Sequence, residues 1–203
     1  ERIDYQFGFT DITTALCAER VLFNSRTHHD AFFQGLQRFL TMMPEYHPRW
    51  VGPAVSRKAG VRHPGCWFTA RREALPVEPG DHSKPPLIIW NHRWEFDKDP
   101  DTFFWALDRV LETGREFRLA LLGENFQVVP KPFIAARERY KERIVRYGFD
   151  ERREDYVGWL RQGNVVISTA LQENFGISVI EAVRRGCLPL VPQRLSYPEI
   201  IPS

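Results

Sequence analysis

The stretch Val165-Val166-Ile167-Ser168, continuing through Glu173-Asn174-Phe175-Gly176 to Glu181-Ala182, reads as a strand, a glycine turn and a helix. A short apolar, β-branched run bounded by polar residues is the pattern of a buried strand. Gly176 stands where the strand gives way to the helix, and a residue without a Cβ lets backbone N–H groups approach an anion at a helix N-terminus. Two carboxylates, Glu173 and Glu181, flank this glycine eight positions apart. One just inside the helix can accept hydrogen bonds from two ribose hydroxyls at once, and one before the turn can do the same for a sugar. The arrangement suits a grip on a nucleotide-linked sugar. Gly186, Pro189 and Pro198-Glu199 extend the pattern downstream.

The same rhythm recurs on either side. Leu87-Ile88-Ile89-Trp90 predicts a buried strand, Asp101 to Thr113 an amphipathic helix ended by Gly114, and Phe117 to Leu122 a strand closing in Gly123-Glu124. Pro132 to Arg143 predicts a helix, Ile144 to Tyr147 a strand, and Asp150-Glu151 the opening of a helix to Leu160. After Val165–Ser168 come a helix over Gly176 to Arg185 and a strand over Leu188 to Val191. Strands alternating with helices imply an α/β fold, a Rossmann-like parallel sheet covered on both faces. Ligands of such sheets bind beyond the carboxyl ends of the strands. Four groups are expected there: the loop after Trp90, the Gly123-Glu124 turn, the loop from Ser168 to Gly176, and the turn from Gln193 to Glu199.

The N-terminal part is less regular. Asp4 to Ala18 has helical spacing through Phe7, Ile12, Ala15 and Leu16, and Val21-Leu22-Phe23 predicts a short strand. Asn24 and Ser25 are N-cap candidates for a second helix carrying Phe32, Phe33, Leu36, Phe39 and Leu40 on one stripe. Six prolines between Pro44 and Gly80 read as a long loop and linker, with one short strand near Cys66-Trp67-Phe68. Two domains are expected, over residues 1–80 and 81–203.

Composition excludes several classes. Of 203 residues, 43% are hydrophobic and 27% charged, as in an ordinary globular protein. No apolar run approaches the roughly 20 residues that span a bilayer, and no signal peptide is visible. The chain begins at Glu1 and reads as a piece of a longer protein. Its three cysteines form no CxxC pair, so no disulfide framework or zinc site is expected, and a reducing, cytoplasmic setting fits. A net charge of +2 by itself predicts no nucleic-acid partner. Arginine outnumbers lysine, which fits phosphate or RNA contacts but also a simple bias of composition.

The loop Asn91-His92-Arg93-Trp94-Glu95-Phe96-Asp97-Lys98-Asp99-Pro100 carries two cations that suit a diphosphate, Arg93 as a planar fork and Lys98 as a point charge. Its plain alternative is a solvated loop with ion pairs to Glu95, Asp97 and Asp99. Asp97, Asp99 and Asp101 alternate as cation ligands do, yet Asp99-Pro100-Asp101 accounts for them as a helix start, and no metal is expected. Glu173 and Glu181 also match a glycosidase acid/base pair taken alone. His28 and His29 read as helix-start residues, and Trp90, Trp94, Trp105 and Trp159 as packing, with base stacking an alternative for Trp94.

Taken together, Arg93…Lys98 and Glu173-x-Phe175-Gly176-x-x-x-x-Glu181 resemble the donor domain of retaining GT-B glycosyltransferases of family 4. More closely, the chain resembles the tRNA-queuosine alpha-mannosyltransferase family. The strings that carry this are Trp90-Asn91-His92-Arg93-Trp94-Glu95, Asp97-Lys98-Asp99-Pro100, Val166-Ile167-Ser168-Thr169-Ala170, Glu181-Ala182-Val183 with Gly186-Cys187, and Tyr197-Pro198-Glu199-Ile200. Tyr5-x-Phe7-Gly8 and Val21-Leu22-Phe23-Asn24-Ser25 fit the end of that family's first domain.

The resemblance implies a GT-B fold, with residues 1–80 ending an acceptor-side domain and 81–203 forming the donor domain. It implies GDP-mannose as donor, queuosine in tRNA as acceptor, retention of anomeric configuration and no metal. Arg93 and Lys98 would hold the diphosphate, Glu181 the ribose and Glu173 the hydroxyls of the hexose. Backbone N–H groups of Asn174, Phe175, Gly176 and Ile177 would touch the phosphates or sugar, and Glu124 would sit on the nucleotide side. Two departures stand out: Gln172 occupies a position where animal relatives tend to have histidine, and residues 44–80 are shorter than in those relatives. The same donor chemistry suits a lipid, glycan or small-molecule acceptor, or a nucleotide-sugar-binding module without turnover.

Overall fold

The computed structural model describes residues 5–66, 83–124 and 128–201. The chain divides into two compact units: unit 1 is Glu1–Gly65 with Arg194–Ser203, and unit 2 is Cys66–Gln193. This division differs from the expected one, since the last ten residues group with the N-terminal part. Of the short strand read near Cys66-Trp67-Phe68, residues 67 and 68 lie outside the described residues, as does the linker read after it up to residue 80.

In unit 1, α1 (Tyr5–Cys17), α2 (Arg26–Thr41) and α3 (Val51–Ser56) share a core of Ile12, Ala15, Leu36, Leu40, Val51 and Val55. A two-stranded parallel sheet joins β1 (Val21–Phe23) to β2 (Ala59–Val61). Ser25 caps α2, its side chain accepting from the His28 N–H at 3.0 Å. The proline-rich stretch read as loop thus holds both α3 and β2. Pro53 is third in α3, where its missing N–H costs nothing, so it does not break the helix. The strand Ala59-Gly60-Val61 has little β-propensity, and its pairing with β1 makes it a strand.

Unit 2 is a five-stranded, all-parallel sheet of order β5-β4-β3-β6-β7. Its strands are β3 (Leu87–Trp90), β4 (Arg118–Leu122), β5 (Ile144–Gly148), β6 (Val165–Ile167) and β7 (Leu188–Leu190). Between them run α4 (Pro100–Glu112), α5 (Lys131–Arg139), α6 (Arg153–Gln162) and α7 (Ile177–Val183); α8 (Tyr197–Ile200) follows in unit 1. All four residues of β3 are buried, as a central strand covered on both faces requires. Ile88 and Trp90 face a cluster with Phe103, Phe104, Leu119, Leu121, Phe133 and Tyr140. Leu87 and Ile89 point to the other face, where Gly163 leaves room for Ile89 and Cys187. The helix expected to reach Arg143 stops at Tyr140, which leaves helical geometry; its buried ring sets its hydroxyl against the Phe104 carbonyl and the Asp108 carboxylate.

The strand order places β3 beside both β4 and β6, so chain direction switches sides at β3. A crevice opens beyond the carboxyl ends of strands at such a switch point. The loops after β3 and β6 both end there.

Candidate active site

The loops after β3 and β6 are tied to each other. Thr169 Oγ1 donates to the Lys98 and Asp99 carbonyls at 2.9 and 2.8 Å, and the Leu171 N–H donates to the Asp97 carbonyl at 2.7 Å. Lys98 sits at the centre, nearly buried. Its ammonium meets the Gln172 carbonyl at 2.9 Å, Asp97 Oδ2 at 3.1 Å and Glu173 Oε2 at 3.4 Å. The first and last of these are hydrogen bonds and the Asp97 contact is an ion pair. Two carboxylates around one ammonium leave this cluster with a surplus negative charge, so Lys98 is not a free cation in this state.

Glu173 has a second set of partners. Its Oε1 accepts from the N–H groups of Gly176 at 2.9 Å and Phe175 at 3.3 Å. Gly176 makes this turn possible with φ +89°, a left-handed conformation that β-carbon-bearing residues adopt at a cost. The Phe175 and Gly176 N–H groups assigned from sequence to phosphate or sugar are therefore engaged by Glu173 itself. A carboxylate from the chain occupies the place where an anion was expected. Phe175 contributes a buried ring, while Asn174 and Ile177 are exposed at the turn.

Glu181 lies one helical stretch further on, its side chain only 14% exposed. Oε1 accepts from Arg153 at 2.7 Å and Oε2 from the Tyr156 hydroxyl at 3.0 Å. Tyr156 in turn accepts from Asn91 Nδ2 at 3.0 Å, and the same amide donates to the Ser178 carbonyl at 2.7 Å. This network joins the loop after β3 to α6 and α7.

Beside it lies a cavity of about 310 Å³ lined by Asn91, His92, Arg93, Gly123, Phe149 and Tyr156, with Glu124 and Arg153 at its walls. Arg93 reaches out from the loop, 56% exposed, and pairs with Glu95 at 3.1 Å. The local ion pairs weighed against function are thus present, Arg93 with Glu95 and Lys98 with Asp97. They do not remove Arg93 from the cavity. His92 is buried, with Nδ1 3.2 Å from Ser178 Oγ. Burial depresses its pKa to about 4, outweighing the Glu173 charge that favours protonation, so the ring is neutral at pH 7. Gly123 allows the β4 turn to close on the β3 loop: a Cβ there would lie 2.1 Å from the His92 carbonyl oxygen. The Trp94 N–H donates to the Glu124 carbonyl at 3.1 Å.

The sequence-read residues fall into two groups of unit 2. Arg93 and Glu124 line one cavity, and Glu181 stands behind it, bonded to two of its lining residues, Arg153 and Tyr156; Lys98, Glu173, Asn174, Phe175, Gly176 and Ile177 form the adjoining turn. Trp94 is not a base-stacking platform. Its ring stacks on Phe133 at 4.2 Å within the core. Asp99 is the helix cap, accepting from the Thr102 N–H at 3.2 Å. Sequence reading assigned no role to Tyr156, Arg153, Asn91, His92 or Ser178. The first two were legible only as polar residues of one helical face, three positions apart. Among the described residues no group of three or more His, Cys, Asp or Glu is placed to hold a metal ion, and no helix is long and apolar enough to cross a membrane.

Comparison with known proteins accords with this geometry. Residues 1–66 match the family model described as tRNA-queuosine alpha-mannosyltransferase N-terminal, and residues 71–203 that of glycosyl transferases group 1. The chain is 35% identical over 98% of its length to the tRNA-queuosine alpha-mannosyltransferase of Drosophila melanogaster, and spans 54% of that protein. Among solved structures, it resembles a glycosyltransferase from Rickettsia africae (TM-score 0.62, 16% identity, all of this chain and 52% of that one). Sucrose-phosphate synthase from Thermosynechococcus elongatus is similar too (TM-score 0.64, 15% identity, 97% of this chain and 46% of that one). So is Anabaena HepE in complex with UDP and glucose (TM-score 0.63, 15% identity, 98% and 52%). The fold expected from sequence, α/β of GT-B type with a Rossmann-like parallel sheet, is the one these structures share. The resemblance to the tRNA-queuosine alpha-mannosyltransferases holds at both ends of the chain, and the chain belongs to the group 1 glycosyl transferases.

Proposed function

We propose that this chain is the donor-binding part, with some of the acceptor-side part, of a cytoplasmic retaining mannosyltransferase that moves mannose from GDP-mannose to queuosine in tRNA. The observation that carries the donor reading is the single cavity shared by Arg93 and the Glu181 network at the switch point of the sheet. The acceptor reading rests on the 1–66 match to a family-specific model and on the Drosophila relative.

In this reading the base lies in the cavity against Phe149, the ribose hydroxyls reach Glu181, and the diphosphate runs past Arg93 toward Lys98. Glu124 stands on the nucleotide side. The hexose lies over the turn from Glu173 to Ile177, with Glu173 accepting from its hydroxyls. As the glycosidic bond breaks, negative charge grows on the departing diphosphate. Cations fixed at that end stabilise the transition state more than the ground state. Lys98 reaches the phosphates by loosening its hold on Asp97 or Glu173, which frees an engaged ammonium for the diphosphate when the donor arrives. Arg93 and the released Lys98 supply the charge, so transfer is expected to proceed without a metal ion.

The test uses the intact protein with labelled GDP-mannose. Label enters tRNA that contains queuosine and not tRNA that lacks it, and EDTA leaves the rate unchanged. Equal labelling of the two tRNAs ends the acceptor reading, and transfer to a lipid or glycan instead replaces it. By calorimetry, Arg93→Ala and Glu181→Ala each weaken GDP binding at least about tenfold, the worth of a hydrogen bond to a charged group. Unchanged affinity in both removes the donor site from this cavity.

A further inference from the structure

We propose that Tyr156 is a positioning residue that fixes one oxygen of Glu181, and that Arg153 guards the other until a ribose displaces it. This inference rests on the donor reading and extends it to how the ribose is selected.

Hydrogen-bond directions in the network follow from proton counting. Asn91 presents one atom to both the Ser178 carbonyl, 2.7 Å away, and the Tyr156 oxygen, 3.0 Å away. A carbonyl can only accept, so that atom is the NH2 group. Tyr156 therefore accepts from Asn91, and its single proton goes to Glu181 Oε2 at 3.0 Å. Burial first, and the neighbouring Glu181 charge second, raise the phenol well above its ordinary pKa, so the proton stays in place. The chain Ser178–Asn91–Tyr156–Glu181 is anchored to backbone at one end and has one consistent direction.

The two partners of Glu181 differ in how firmly they hold. Tyr156 is half-buried and locked by Asn91. Arg153 is 53% exposed while Glu181 is only 14% exposed, so the guanidinium can swing into water when a ligand takes its place on the carboxylate. A ligand competing for Glu181 thus takes Oε1 from Arg153 and leaves Oε2 with Tyr156. Arg153 also lines the cavity, so it remains beside whatever displaces it. The carboxylate that meets a ribose is then held at one angle by a donor that the ligand does not replace, which is the condition for reading a diol and not merely attracting a cation.

The experiment compares GDP with 2′,3′-dideoxy-GDP by calorimetry on the intact protein. Wild type prefers GDP by at least about tenfold, the worth of a hydrogen bond to a charged acceptor. Tyr156→Phe reduces that preference several-fold by weakening GDP, while affinity for dideoxy-GDP stays at the wild-type value and certifies that the variant is folded. Arg153→Ala keeps or increases the preference for GDP over the dideoxy nucleotide, because the competitor for Glu181 Oε1 is gone, whatever the change in the two affinities themselves. A preference for GDP that survives in Tyr156→Phe overturns the proposal, as does an equal loss for both nucleotides in that variant or a loss of the preference in Arg153→Ala. The guanosine assignment fails separately: UDP or ADP binding in place of GDP, with the same dependence on ribose and Tyr156, leaves this inference standing.

Discussion

At the residue scale, the two groups that shape the cavity most are neither charged nor catalytic. His92 is neutral because it is buried, with a pKa near 4 against an ordinary value near 6.5. Between those values the unfolded chain binds a proton that the folded chain refuses. Stability from this residue is complete above about pH 6.5 and is lost as pH falls toward 4, by about 3 kcal/mol. Urea unfolding from pH 7 to 4 is expected to show a shallower loss in His92→Gln than in wild type. Parallel curves would mean the imidazole takes up its proton in the folded state at an ordinary pH. Gly123 acts by its lack of a side chain. An added Cβ meets the His92 carbonyl at 2.1 Å and the Trp94 ring at 2.7 Å, both held by the core. Gly123→Ala is expected to cost about 2 kcal/mol or more in thermal or urea unfolding, an overpacking effect, and to weaken nucleotide binding at the cavity rim.

Among the elements, the 3-10 turn Phe96–Lys98 and the start of α4 decide where Lys98 points. Asp99 is in the left-handed region, with φ +50°, and accepts from the Thr102 N–H. It serves two purposes that different substitutions separate. Asp99→Ala loses the cap and keeps the strain, for a cost of about 1–2 kcal/mol; Asp99→Gly loses the cap but relieves the strain and costs less. Denaturant midpoints rank these variants, and an alanine variant as stable as the glycine one would show that the backbone is not strained there. Most of the five-stranded sheet was legible in sequence because its strands are short apolar runs between helices, and β3, β5 and β6 begin where their patterns begin. The same signal missed α3 and β2, where Pro53 and Gly60 suggest a break and pairing or position in the helix overrides that suggestion. Glu181 and Arg93 were legible by spacing and loop position. Tyr156, Arg153 and Asn91 were not, since their contacts join three elements and nothing local in the sequence marks a partner 25 to 87 positions away.

At the scale of the whole molecule, the chain leaves unit 1, builds unit 2 and returns, and the returning residues finish unit 1. Glu199, read from sequence as part of the donor-domain pattern, accepts from the Arg26 N–H through both oxygens, at 3.0 and 2.9 Å, at the first residue of α2. His63, just past β2, adds a contact at 2.8 Å. Burial pushes the carboxyl upward, but these donors outweigh it and hold its pKa below the ordinary value. The lowered value means that Glu199 stabilises unit 1 above about pH 4.5, where the unfolded carboxyl is ionised, and that this contribution disappears as pH falls through the folded value. A carboxylate at a helix N-terminus contributes by satisfying N–H groups and by opposing the helix dipole, so Glu199→Ala is expected to cost about 1 kcal/mol at pH 7. Ser25 still caps the next turn, which limits the loss. The wild-type advantage in thermal unfolding should shrink as pH falls below about 4.5, and Glu199→Gln should fall between the two at pH 7, since an amide accepts the N–H bond without the charge. An advantage that does not diminish as the carboxylate is protonated would assign the contribution to packing of α8 and not to the charge.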